Sequence, residues 1–164
     1  MSENKLSKSD RHSKILGDFG ESFVMYWLSK RNYEPILVDY TGMDIIAYNK
    51  SQERRIGISV KSRTRKADTE EDTINVSAKQ IPLILKACRY FNCDPYFGCV
   101  IDKDEEEKIG IFIIPFQDVL SLNNFKTDDK RLYIRFSDEY VKKYERTAYS
   151  YVINMNYKEL RNQM

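Results

Sequence analysis

Apolar positions along the chain follow two rhythms. From Lys14 to Asn32 they fall at Leu16, Phe19, Gly20, Phe23, Val24 and Trp27, the i, i+3, i+4 stripe of a helix lying on a core. Ser13 stands where an N-cap belongs. Gly17 and Gly20 lie on or beside the stripe. Each costs a helix roughly 1 kcal/mol against alanine, so the pair implies close backbone approach to a sheet. The rhythm then shortens to two. "EPILVDY" (34–40) and "GMDIIAYNK" (42–50) read as strands split by the Thr41-Gly42 turn. After a second turn, "SQER", the stretch "RIGISVKSRT" (55–64) alternates Ile56, Ile58 and Val60 with Gly57, Ser59 and Lys61, a half-buried strand completing a meander. A helical pattern returns with Ile81, Ile84, Leu85, Cys88 and Phe91, with Ser77 as the expected cap and Pro82 confined to the first turn. Strands are expected at 95–102, 109–115, 131–136 and from Tyr149, with a helix around 137–147.

Composition narrows the class. In 164 residues, 41% hydrophobic and 32% charged content fits a globular chain with a real core rather than a disordered one. Net charge is only +2, so local charge matters more. Arg54, Arg55, Lys61, Arg63, Arg65 and Lys66 form a basic run without an acid, and Asp68, Glu70, Glu71 and Asp72 follow it. A solvated loop is the plain reading of such blocks. Cys88, Cys93 and Cys99 have neither zinc-knuckle nor CxxC spacing, which suggests reduced, mostly buried thiols and a cytoplasmic setting. No apolar run approaches the ~20 residues of a membrane span. Residues 1–12 read as a flexible tail and 13–164 as one domain, with 116–164 an unassigned extension. His12 is the sole histidine. With it confined to the tail, a Ser-His-Asp triad, a zinc HExxH site and a histidine general base are excluded. No phosphate-binding glycine loop is present. Chemistry is left to carboxylates, lysines, hydroxyls and a hard cation.

Three polar residues break the apolar pattern. Glu21 borders the first helix's stripe, Asp44 opens a buried strand, and Lys61 shares a strand face with Ser59 and Arg63. An acid at the start of a buried strand costs several kcal/mol unless it is paired or binds a cation. Asp44 reads either as a ligand or as an acid paired with Lys61. Lys61 reads as a catalytic or phosphate-binding group or as a surface lysine. Glu21 reads as a ligand or as a solvated helix residue. Carboxylates hold Mg²⁺ or Mn²⁺ through oxygen, and neighbouring arginines supply phosphate contacts.

"GDFGE" (17–21), "GMDIIAY" (42–48) and "ISVKSRT" (58–64) resemble, in order and spacing, the core of the PD-(D/E)xK nuclease superfamily, nearest in look to archaeal-type Holliday junction resolvases. The likeness covers about residues 13–102, with Lys79 and Gln80 near the start of the next helix. It implies an α/β fold of three layers, a restriction-endonuclease-like mixed central sheet flanked by helices. It also implies Glu21, Asp44 and the Val60 backbone carbonyl as ligands of Mg²⁺ or Mn²⁺, Lys61 positioning the attacking water, and Arg63, Arg65, Lys66, Lys79 and Gln80 on DNA. The departure is Ser59, where the family carries a second strand carboxylate. Asp39 and Glu53 are candidate substitutes for the missing acid. The expected function is a metal-dependent endonuclease acting on DNA, with a homodimer suited to paired cuts. A catalytically inactive nuclease-fold module that binds nucleic acid or protein is the alternative. A structural or assembly protein using "DTEED" and the C-terminal segment as an interface is a third reading.

Overall fold

The computed structural model describes residues 9–65, 73–103, 108–147 and 149–153. Lys66 and the acidic run 68–72 lie outside them. Helix α1 (His12–Ser29) leads into an antiparallel meander of β1 (Tyr33–Tyr40), β2 (Met43–Asn49) and β3 (Arg54–Arg65). Strand β4 (Thr73–Ser77) and helix α2 (Gln80–Tyr90) follow. The chain then returns as β5 (Asp94–Lys103), parallel to β3, and β6 (Lys108–Pro115), antiparallel to β5. Beyond it lie α3 (Phe116–Leu122), β7 (Arg131–Arg135), α4 (Asp138–Thr147) and β8 (Tyr149–Ile153). The main sheet has six strands in the order β1-β2-β3-β5-β6-β8, and β4 pairs with β7 in a separate two-stranded ribbon. The parallel β3–β5 pair needs a long crossover, which α2 supplies.

The sheet is mixed and covered on both faces, as the resemblance implied. On one face α1 packs Val24, Trp27 and Leu28 against Ile45, Ile58, Val60 and Val100. On the other, α2, α3, α4 and the ribbon bury Ile84, Cys88, Val119, Tyr144, Ile74 and Ile134 against Phe97, Cys99 and Phe112. The described part of the extension after residue 115 is therefore built into the fold, with β8 at the edge of the main sheet and Phe116, Leu132 and Phe136 buried in the second layer.

Several local expectations are corrected. Ser13 is not the first cap. The helix opens at His12, whose N–H is taken by the Ser9 carbonyl. His12 consequently belongs to the fold rather than to a tail, and its Nε2 lies 3.0 Å from Thr64 Oγ1. Ser77 is not a cap either. It ends β4, a strand the pattern did not reveal, and α2 starts three residues later. Gly20 meets the sheet as expected, since a Cβ there would collide with Ser62 Oγ, but Gly17 faces open space. All three cysteines are free, with Cys88 and Cys99 buried and Cys93 half-buried.

Candidate functional site

The site grows from an irregularity in the pairing of β1 with β2. Residues facing each other across β1 and β2 run in step to Leu37↔Ile45 and resume at Tyr40↔Met43. Val38 and Asp39 thus oppose the single residue Asp44, which is a β-bulge. On the other side, the β2–β3 register ends at Ile45↔Ile58. Asp44 therefore lies where the ladder fails on both edges. Met43 and Ile45, which would share a face in a regular strand, pack into opposite layers instead. The freed Asp44 side chain takes the vacated ladder position, and its Oδ2 accepts the Val60 N–H at 2.6 Å, the short length of a charge-assisted bond. A strand residue directs N–H and C=O toward the same edge, so the Val60 carbonyl opens into the same gap.

Lys61 stands one residue further along β3. Its Nζ donates to Ser59 Oγ at 3.0 Å, and Ser59 is itself 2% exposed. Parallel pairing sets Lys61 beside Cys99, whose thiol burial pushes up to about 12. Glu21 arrives from α1, immediately after the Gly20–Ser62 contact that seats the helix. Its carboxyl is held above the ordinary carboxylate range, first by burial and then by the negative charges of Asp44 and Asp18. The ammonium groups of Lys61 and Lys14 pull in the opposite direction. Glu21, Asp44 and Lys61 thus share one electrostatic neighbourhood although they come from a helix and two strands.

The other predicted residues divide. Arg63 is exposed and donates from Nη1 to the Thr73 carbonyl at 2.6 Å. Arg65 ends β3. Lys79 and Gln80 are exposed at the start of α2, whose Leu83–Ile84 backbone packs on Gly42 in the turn before Asp44. Glu53 is no substitute for the missing acid, because it occupies the β2–β3 turn, about 20 Å of strand from Ser59. Asp39 lies exposed in the bulge opposite Asp44. Among the described residues, no three His, Cys, Asp or Glu side chains gather closely enough to hold a metal ion. Asp44 at the gap, with Glu21 in its electrostatic neighbourhood and the Val60 carbonyl beside it, is a donor set that would suit Mg²⁺, which is commonly held by one or two carboxylates plus substrate phosphate. His12 bonds to Thr64 on the face of β3 that packs on α1, away from Lys61.

The Holliday junction resolvase Hjc of Archaeoglobus fulgidus has a similar structure, with a TM-score of 0.56 and 19% sequence identity over 77% of this chain and 88% of the resolvase. The chain has a restriction-endonuclease-like fold. A bacterial homing endonuclease is more loosely similar, at TM-score 0.41 and 10% identity over 77% of this chain and 80% of its own. No family model matches the sequence, and no curated protein is significantly similar to it in sequence. No helix among the described residues is long and apolar enough to cross a membrane.

Proposed function

We propose that the chain is a metal-dependent endonuclease that hydrolyses DNA phosphodiesters at the gap between β2 and β3. One observation carries this reading: Asp44 and Lys61 flank that gap on adjacent strands, and the Glu21 carboxyl lies in the field of both. Glu21, Asp44 and the Val60 carbonyl would hold Mg²⁺ or Mn²⁺. When bound, such an ion polarises a phosphodiester and lowers the pKa of a water. The chain's own groups do the rest. Asp44 is fixed by the Val60 N–H, so its orientation does not depend on substrate. The Lys61 ammonium, steadied on Ser59, orients the attacking water and offsets charge building on the phosphate oxygens. Arg63 and Arg65 supply phosphate contacts from the end of β3, and Lys66, which follows them in sequence, adds a further cation.

A second copy fits the exposed edge of the sheet, where β1 leaves Ile36 and Leu37 57% and 55% exposed. A two-fold dimer would present two sites to two strands. The three free thiols support a reducing, cytoplasmic setting.

The second reading is a nuclease fold that binds DNA without cutting it. Ser59 favours it, since a neutral hydroxyl stands where the family carries a carboxylate, and that hydroxyl already accepts from Lys61.

Linear duplex, single-stranded and four-way-junction DNA, each incubated with Mg²⁺, Mn²⁺ or EDTA, separate the two. Cleavage that needs the cation and falls at least about 100-fold in Asp44→Ala and Lys61→Ala is expected. Wild-type protein that binds all three substrates and cuts none selects the inactive module.

A further inference from the structure

The ribbon of β4 and β7 presents a face that the catalytic reading does not use. Its inner residues, Ile74, Val76, Leu132 and Ile134, are buried in the second layer. Its outer residues pair in register as Thr73↔Arg135, Asn75↔Tyr133 and Ser77↔Arg131. The outer face therefore reads Arg131, Tyr133, Arg135 along one strand and Thr73, Asn75, Ser77 along the other, two cations flanking an aromatic ring beside three hydrogen-bonding side chains. None of the six is acidic. Tyr133 keeps 43% of its surface exposed. Arg131 is exposed and has no acidic partner among the described residues. Arg135 is held over the Tyr140 ring, 5.6 Å from its centroid. The backbone beneath is rigid, because Asn123, buried, accepts the Arg135 N–H through Oδ1 and donates to Val119 O and the Tyr144 hydroxyl.

This face is tied to the candidate site. Arg63, two residues beyond Lys61 on the same face of β3, donates to the Thr73 carbonyl, and Thr73 is the residue across from Arg135. At its other end the ribbon is closed by the bond from Ala78 N–H to the Lys130 carbonyl and runs directly into Lys79 and α2. Arg131 and Arg135 are four residues apart, about 13 Å along a strand, the rise of roughly four nucleotides along a duplex at ~3.4 Å each.

We infer that the outer face of the β4–β7 ribbon is a second DNA-binding surface, on which Arg131 and Arg135 contact the phosphates of a duplex leading away from the Lys61–Arg63 end of β3. Charge complementarity and continuity through Arg63 select DNA as its occupant, and the inference rests on the nuclease reading above. Thr73, Asn75, Ser77 and the Tyr133 ring complete the contact with sugar and phosphate oxygens, as hydroxyl and amide groups do at such interfaces.

The test is the salt dependence of binding between the full chain and a fluorescein-labelled duplex oligonucleotide in EDTA, followed by fluorescence anisotropy. Each phosphate neutralised contributes about 0.9 to the slope of log affinity against log salt. Arg131→Gln is expected to flatten the slope by about 0.9, and the Arg131→Gln/Arg135→Gln pair by about 1.8 with a loss of about ten-fold or more in affinity. Arg135→Lys, which keeps the charge, retains the slope. Lys30→Gln, at the far end of α1 in the opposite layer, leaves slope and affinity unchanged. Arg131 is exposed, so its variant keeps the wild-type melting temperature. Wild-type protein that binds duplex while the pair binds with the same slope and affinity overturns the ribbon surface and leaves the nuclease reading standing. Wild-type protein with no salt-sensitive duplex binding also overturns the ribbon surface, and the nuclease reading then stands or falls on the cleavage assay above.

Discussion

Asp44 is the residue on which the site turns. A carboxylate at the head of a buried strand had to be paired or bound, and the pattern around "GMDIIAY" announced that much. Its partner, the Val60 N–H, was not legible, because it depends on a bulge and on the end of a register, both set by tertiary pairing. Ser59 was visible as a departure, but its bond from Lys61 was not. Glu21 carries a pH consequence. Its carboxyl is raised in the folded chain from an ordinary value of 4.5. As pH climbs from about 4.5, the unfolded chain loses this proton before the folded one does. The folded state then binds more protons, and stability falls with pH over that window. Glu21→Gln should remove this component, so that its melting temperature gains on wild type as pH rises from about 4.5 to 7. A difference between variant and wild type that does not change with pH would contradict the placement of Glu21. Mn²⁺, by favouring the ionised carboxyl, should stabilise wild type increasingly over the same window and Glu21→Gln much less.

At the scale of elements, the long periodic segments were readable, and so were the short strands β7 and β8, whereas β4 and α3 were not. The stripe from Leu16 to Trp27 and the alternation from Ile56 to Val60 reported their own structure. Strand β4 has five residues, and only Ile74 and Val76 signal it. Its stability comes from β7, more than fifty positions away, so no local pattern could expose it. Helix α3 has seven residues after Pro115, too few turns to display a period. Gly42 is where an element depends on one residue. It has φ +95°, and a Cβ there would stand 2.7–2.8 Å from the Leu83–Ile84 backbone of α2. Backbone strain and overpacking both oppose substitution, so Gly42→Ala should destabilise by about 2–4 kcal/mol in urea denaturation. A change below about 0.5 kcal/mol, the range of an ordinary surface substitution, would refute the packing of α2 on that turn.

The whole molecule is two apolar layers on one mixed sheet, and the second layer is completed only by the C-terminal third. The resemblance covered residues 13–102 and was silent on that region, because its motifs lie on the first layer and the site strands. Phe116, Val119, Leu132, Ile134, Phe136 and Tyr144 are all buried in the second layer. Removing six such side chains at about 1.5–3 kcal/mol each is comparable to or larger than the ~5–15 kcal/mol that stabilises a typical domain. A chain ending at Pro115 should show no cooperative thermal transition by circular dichroism. A sharp melt in that fragment would mean the extension is dispensable.

The central claim is that Glu21 and Asp44 form a cation site at the mouth of β2 and β3. Titration of the full chain with Mn²⁺, followed by electron paramagnetic resonance with and without duplex oligonucleotide, tests it without relying on turnover. One site should appear, weak alone because it has two carboxylates rather than three, and tighter when substrate phosphate is present. Asp44→Asn should abolish it. Identical Mn²⁺ binding by wild type and Asp44→Asn, or none by either in the presence of DNA, would contradict the account.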